Sequence, residues 1–121
     1  MKTTSIVLGI VFLLIGILGF IPNGLVGDGG LFMTDMGHNL IHLVTGILFL
    51  VFAYKSSEAM MTFFKVFGII YLVIAAWGFA IGDGSILGIA WVNGADNWLH
   101  LVLGIVILAF GYKGSGSNMQ M

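Results

Sequence analysis

Four apolar stretches dominate the chain, at residues 5–21, 39–54, 63–81 and 97–112. The single proline, Pro22, falls outside all of them. Each stretch is about 16 to 19 residues long, near the short end of what crosses a bilayer as a helix, so each helix is expected to extend about a turn into its flanks. Apolar and polar positions do not alternate with period two, and four strands cannot close a membrane barrel. The pattern therefore predicts an all-α protein, a transmembrane bundle of four helices within one membrane domain at 1–113. The first stretch follows Lys2, a minimal signal-peptide start. Its apolar run is long, though, and Gly19-Phe20-Ile21-Pro22 is a poor cleavage site, so it is expected to be retained as a span.

The connecting segments divide into two kinds. Residues 22–38 and 82–96 are glycine-rich and only weakly polar, and Leu31-Phe32-Met33 and Ile86-Leu87-Gly88-Ile89-Ala90-Trp91 are apolar enough to lie in a membrane interface. The end of the chain, 114–121, reads as a flexible polar tail.

The pattern also repeats. Asn39-Leu40-Ile41-His42-Leu43-Val44-Thr45-Gly46-Ile47 aligns with Asn97-Trp98-Leu99-His100-Leu101-Val102-Leu103-Gly104-Ile105, and the same offset pairs Ala53-Tyr54-Lys55 with Gly111-Tyr112-Lys113. One residue more aligns Gly9, Gly16, Gly19 and Phe20 with Gly68, Ala75, Gly78 and Phe79. Two tandem hairpins, at about 5–55 and 63–113, would each hold two spans and insert the same way, with a pseudo-twofold axis along the membrane normal. Small residues recur every seventh position: Gly9 and Gly16, Gly46 and Ala53, Gly68 and Ala75, Gly104 and Gly111. Such a stripe stays on one helix face and lets backbones approach, so these eight residues are expected to pack helix against helix.

Composition sharpens the membrane reading. Of 121 residues, 60% are hydrophobic and 7% charged, and the mean hydropathy is +1.14. A soluble domain carries about 25% charged residues, and nine charges cannot cover a soluble globule of this size. The absence of Cys removes disulfide frameworks, Cys-ligated zinc and thiol catalysis. Four Lys, no Arg and a net charge of −1 argue against nucleic acid. Lys2, Lys55, Lys65 and Lys113 fall on one side of the predicted topology and Asp28, Asp35, Asp83 and Asp96 on the other; only Glu58 sits with the lysines. The positive-inside rule then puts both termini in the cytoplasm of a multi-pass protein.

Candidate chemistry gathers at three histidines. His42 and Gly46 share a helix face, as do His100 and Gly104, so both imidazoles point with the packing stripe. Each lies 12 residues from an interfacial Tyr, about 18 Å along a helix, which places it inside the hydrocarbon boundary, where an ionisable side chain is by default a functional hypothesis. His38 precedes His42 by one turn, and its repeat counterpart Asp96 precedes His100 by one turn. The first reading is a structural polar lock of Asn39, His42, Asn97 and His100, with His42 bonded to Asn97, His100 to Asn39, and Asp96 as a helix N-cap. The alternatives are a divalent first-row metal on His38, His42, Asp96 and His100, a haem or chlorophyll on His42 and His100, and a proton or solute path. No nucleophile–base pair, phosphate loop or catalytic carboxylate pair is present in the sequence, so no catalytic residue is assigned.

At Gly16-Ile17-Leu18-Gly19-Phe20, His38-Asn39-Leu40-Ile41-His42-Leu43-Val44-Thr45-Gly46, Gly68-Ile69-Ile70-Tyr71-Leu72, Ala76-Trp77-Gly78-Phe79 and Asp96-Asn97-Trp98-Leu99-His100-Leu101, the chain resembles the prokaryotic four-helix membrane proteins called domain of unknown function 4383. The resemblance runs over about residues 5 to 112. It implies four spans in a prokaryotic plasma or other energy-transducing membrane and brings no activity. The function expected is a non-enzymatic structural or accessory subunit, either a homo-oligomer or part of a larger membrane complex, without a cofactor. A metal, haem or chlorophyll binder is the second reading. An oligomeric transporter or channel is the third, because four short helices alone enclose little volume.

Overall fold

The computed structural model describes residues 1–117. The chain is all-α, with four helices: α1 (Lys2–Leu18), α2 (Met36–Phe52), α3 (Ser57–Ile81) and α4 (Gly94–Ser117). A short antiparallel ribbon, β1 (Gly84–Ile86) paired with β2 (Ala90–Val92), lies in the connection between α3 and α4. The ribbon lies in one of the glycine-rich connecting segments, 82–96. Its turn has positive φ at Leu87 and Gly88 and a hydrogen bond from Ile89 N to Ile86 O, the mirror-image turn that matches the twist of a two-stranded ribbon. Two helices, α3 over its whole length and α4 over Gly94–Gly114, are long and apolar enough to cross a membrane. Helix α4 continues to Ser117, into the segment expected as a tail; residues 118–121 lie outside the described residues.

Capping residues explain where the helices begin. Asp35 accepts from His38 N at 3.0 Å and starts α2. Ser56 accepts from Ala59 N and starts α3, with Glu58 favourably placed in its first turn. At α4, Asn93 Oδ1 accepts from Asp96 N while Asp96 Oδ2 accepts from Asn93 N, each at 3.0 Å, a reciprocal capping box. Helices α2 and α4 thus begin about a turn earlier than hydropathy suggests. Asp96 acts from the third helical position and Asn93 takes the cap. Asp35 and Asn93 are related by the same offset that relates the two Asn-x-x-His segments.

Helix α1 packs chiefly on α2, and α3 on α4. The small residues lie in these seams. A Cβ added to Gly46 would come within 2.8 Å of Gly9 O, one on Gly68 within 2.7 Å of Leu108, and one on Gly104 within 2.9 Å of Leu72. Gly9, Gly16 and Gly111 meet Leu50, Leu43 and Lys65 in the same way, and Ala53 and Ala75 are buried. Two further glycines are tighter still: Gly19 backs onto the Asn39 side chain and Gly78 onto that of Asn97, leaving no room for a methyl group at either place.

A single aromatic core joins the four helices: Phe12, Phe49, Phe63, Phe64 and Tyr71, closed by Met1, Met60 and Ile107. Phe12 stacks on Phe49 with centroids 5.7 Å apart, and Phe64 meets Phe49 edge-on at 5.2 Å. Ser5 Oγ donates to Phe49 O at 2.6 Å. At that end of the bundle Lys2 Nζ sits over the Tyr54 ring and Lys65 Nζ over the Tyr112 ring.

Gly19→Ala and Gly78→Ala should each destabilise the protein by about 1–3 kcal/mol, the usual effect of overpacking a close-packed seam. Gly46→Leu and Gly104→Leu should do more damage, because their neighbours are backbone as well as side chain. Thermal unfolding in a mild detergent checks this; unchanged midpoints for all four variants would contradict the close approach.

Candidate metal centre

The centre is built from the first two turns of α2 and α4. Because α2 starts at Met36, His38 and His42 lie one turn apart on one face, with ring centroids separated by 4.4 Å. Helix α4 contributes His100, whose ring lies 5.4 Å from that of His38 and 6.3 Å from that of His42. All three are at most 4% exposed. One nitrogen from each lies within 4.8 Å of the others. A tetrahedral ion held at 2.0–2.1 Å by three nitrogens needs those atoms about 3.3 Å apart, closer than the 4.8 Å within which they lie.

The hydrogen bonds suit ligation. His38 Nδ1 is 2.5 Å from the carbonyl oxygen of Trp91 on β2. A carbonyl only accepts, so Nδ1 donates and carries the proton, and the lone pair is on Nε2. A backbone carbonyl that fixes the tautomer and orientation of an imidazole is the usual support behind a metal-bound histidine. His42 Nδ1 and His100 Nδ1 are buried and have no hydrogen-bond partner among the described residues.

Asn39 Oδ1 accepts from Thr34 Oγ1 at 2.6 Å, and Asn97 Oδ1, buried against Gly78, has no partner among the described residues. Neither Nδ1 of the His42–His100 pair reaches an Asn side chain. Asp96 stays in its capping box with Asn93 and is not in the three-nitrogen cluster. Of the candidate ligands, the fold brings together His38, His42 and His100.

Rings wall the cluster on its inner side. Phe12 lies 5.9 Å from His42, and Tyr71 lies 5.6 Å from both His100 and Phe12. The Tyr71 hydroxyl is hydrogen-bonded to Thr45, tying α3 to α2. The three centroid separations put the His38 ring near the midplane between His42 and His100. A macrocycle held between those two imidazoles would have to occupy that same plane, so the arrangement does not suit two-histidine haem ligation.

Two contributors had no side-chain signature. The Trp91 carbonyl is aimed by the ribbon, and Gly37 is where the ribbon rests on α2, with the Ile89 carbonyl against its α-carbon. Tyr71 aligns with Phe12 one residue beyond the repeat offset, which would have flagged the pair of rings flanking the histidines. On its outer side the cluster borders a cleft of about 340 Å³ between α2 and α3, with the ribbon along its rim.

The family described as Domain of unknown function (DUF4383) matches residues 2–113. The chain belongs to that family. No curated protein and no solved structure matches it. Membership carries no activity, so any functional reading of this DUF4383 protein rests on its own residues.

Asp96→Ala should cost about 1 kcal/mol, the loss of half a capping box, and leave the metal-binding stoichiometry of the protein unchanged. Elemental analysis beside thermal unfolding checks both; loss of metal at full stability would instead make Asp96 a ligand.

Proposed function

We propose that this DUF4383 protein is a small, non-enzymatic integral membrane protein that holds one divalent first-row ion, zinc in the first instance, on His38, His42 and His100. The observation that carries this reading is the convergence of three buried imidazole nitrogens within 4.8 Å, with one tautomer already fixed by a backbone carbonyl. An imidazole donor set suits zinc and its neighbours. Leaving two buried ring nitrogens without partners would cost about 1–3 kcal/mol each; an ion can take a lone pair from each ring.

The membrane part of the proposal draws on the outer faces. Leu14, Ile17, Val44, Ile47, Ile69 and Val73 are each about half exposed or more, an apolar surface too continuous for a water-facing monomer. Helices α1 and α2, at 17 residues each, reach about 26 Å and span only with help from their flanks. The paired contacts Gly19–Asn39 and Gly78–Asn97, and Lys2–Tyr54 and Lys65–Tyr112, support two tandem hairpins inserted in parallel. Both termini are then on the lysine side, in the cytoplasm of a prokaryotic cell. The same exposed faces suit a subunit that packs on copies of itself or on a larger complex, with the ion fixing the seam between its two hairpins.

Protein extracted in mild detergent and supplied with zinc should retain about one ion per chain after desalting. His42→Ala and His100→Ala should each reduce this at least tenfold while far-ultraviolet circular dichroism stays helical. A folded wild type that retains no zinc, cobalt or other first-row ion would overturn the metal reading and leave a packing subunit. For the topology, Ser56→Cys should be modified by an impermeant thiol reagent only after the cell is opened, and Ser85→Cys in intact cells with a permeable outer layer; the reverse pattern would invert the orientation.

A further inference from the structure

The cleft beside the histidines has a composition that a bare metal site does not need. It lies between α2 and α3, which touch each other far less than α1 touches α2 or α3 touches α4. Its walls are Ile41, Ile70, Val73 and Trp77, and Leu87 and Ile89 of the ribbon turn close one side. Ile41, Ile70, Val73 and Trp77 are also exposed on the outer face of the bundle, so the cleft opens sideways, on the faces read above as lipid-facing. Its polar end is the three histidines, all of which line it. The volume of about 340 Å³ is at the lower end of small-molecule sites.

Charge decides the head group. Three neutral imidazoles leave a divalent ion with its full charge in an apolar environment, and a buried charge needs a counter-charge. The two acids nearest to the histidines in sequence, Asp35 and Asp96, are engaged as caps at the starts of α2 and α4, with His38 N and Asn93 N. Three protein ligands also leave a fourth tetrahedral position open. Because all three imidazoles border the cleft, that position is reached from it.

We infer that the cleft binds a long-chain carboxylate entering from the bilayer, its alkyl chain against Ile70, Val73 and Trp77 and one carboxylate oxygen on the ion held by His38, His42 and His100. This rests on the metal reading and adds to it the identity of the fourth ligand. The ligand supplies one negative charge to the ion and replaces lipid in a gap that the helices do not fill. The left-handed Leu87 at the ribbon turn (φ 57°) holds its side chain at the rim, where it contacts the alkyl chain.

The test uses cobalt(II) in place of zinc, because its visible absorption reports the ligand field. Full-length protein in phosphatidylcholine nanodiscs is loaded with cobalt and titrated separately with acetate, hexanoate and decanoate. The expected result is a shift of the cobalt bands with each acid and an apparent affinity that rises at least tenfold from acetate to decanoate. Ile70→Trp, which fills the cleft without touching a metal ligand, should bind cobalt one-to-one and weaken decanoate at least tenfold while acetate is unaffected. If cobalt binds but the three acids act equally, or none shifts the bands, the cleft assignment is overturned and the metal centre stands. If Ile70→Trp binds cobalt and keeps wild-type decanoate affinity, the chain does not lie in the cleft and the inference is overturned likewise. If the folded wild type binds no cobalt, the metal reading fails and takes this inference with it.

Discussion

A neutral imidazole taken out of water brings one donor and one acceptor with it, and an apolar bundle has little to offer either. Here three imidazoles are buried together, and much of the architecture at that end of the molecule is arranged around them. The starts of α2 and α4 are set by Asp35 and Asn93 so that His38, His42 and His100 fall in the first two turns. The ribbon turns one carbonyl, that of Trp91, toward His38. The Phe12 and Tyr71 rings wall the cluster from the core. Among the described residues nothing partners Nδ1 of His42 or of His100, and the ion proposed above would take one lone pair from each ring.

The glycine seams make this placement possible. Gly9 against Gly46 and Gly68 against Leu108 bring each helix pair into backbone contact, which fixes the relative heights of the helices. Gly19 and Gly78 then let the Asn39 and Asn97 amides press against neighbouring backbone just beside the histidines. A bundle with larger residues in those seams would hold its helices farther apart, and the three nitrogens would no longer fall within reach of one ion. Packing and chemistry are coupled through the same helix faces, since Gly46 follows His42, and Gly104 follows His100, by about one turn.

The four helices were legible in the sequence because apolar length depends on local chemistry alone. The helix starts were less so. Hydropathy marks where apolar residues begin, whereas Asp35, Ser56 and Asn93 set the boundaries through hydrogen bonds that carry no hydropathic signal. That difference put Asp96 in a capping box with Asn93, and left His38 within the helix, its ring tilted against that of His42. The ribbon at 84–92 was read as loop because each strand is three residues long, too short to show alternation. Its consequence, a backbone carbonyl on His38, is invisible to any reading of side chains. The histidines themselves were recognisable from spacing and depth, but their mutual distances depend on how the two helix pairs meet, which repeat alignment does not determine.

The central claim is that His38, His42 and His100 act as one ligand set. Zinc X-ray absorption on the detergent-extracted, zinc-bound protein examines that set directly. The expected result is about three imidazole nitrogens at about 2.0–2.1 Å with one further oxygen neighbour. A first shell of oxygens without the imidazole outer-shell pattern would mean that zinc sits elsewhere, and that the three buried histidines do not hold it.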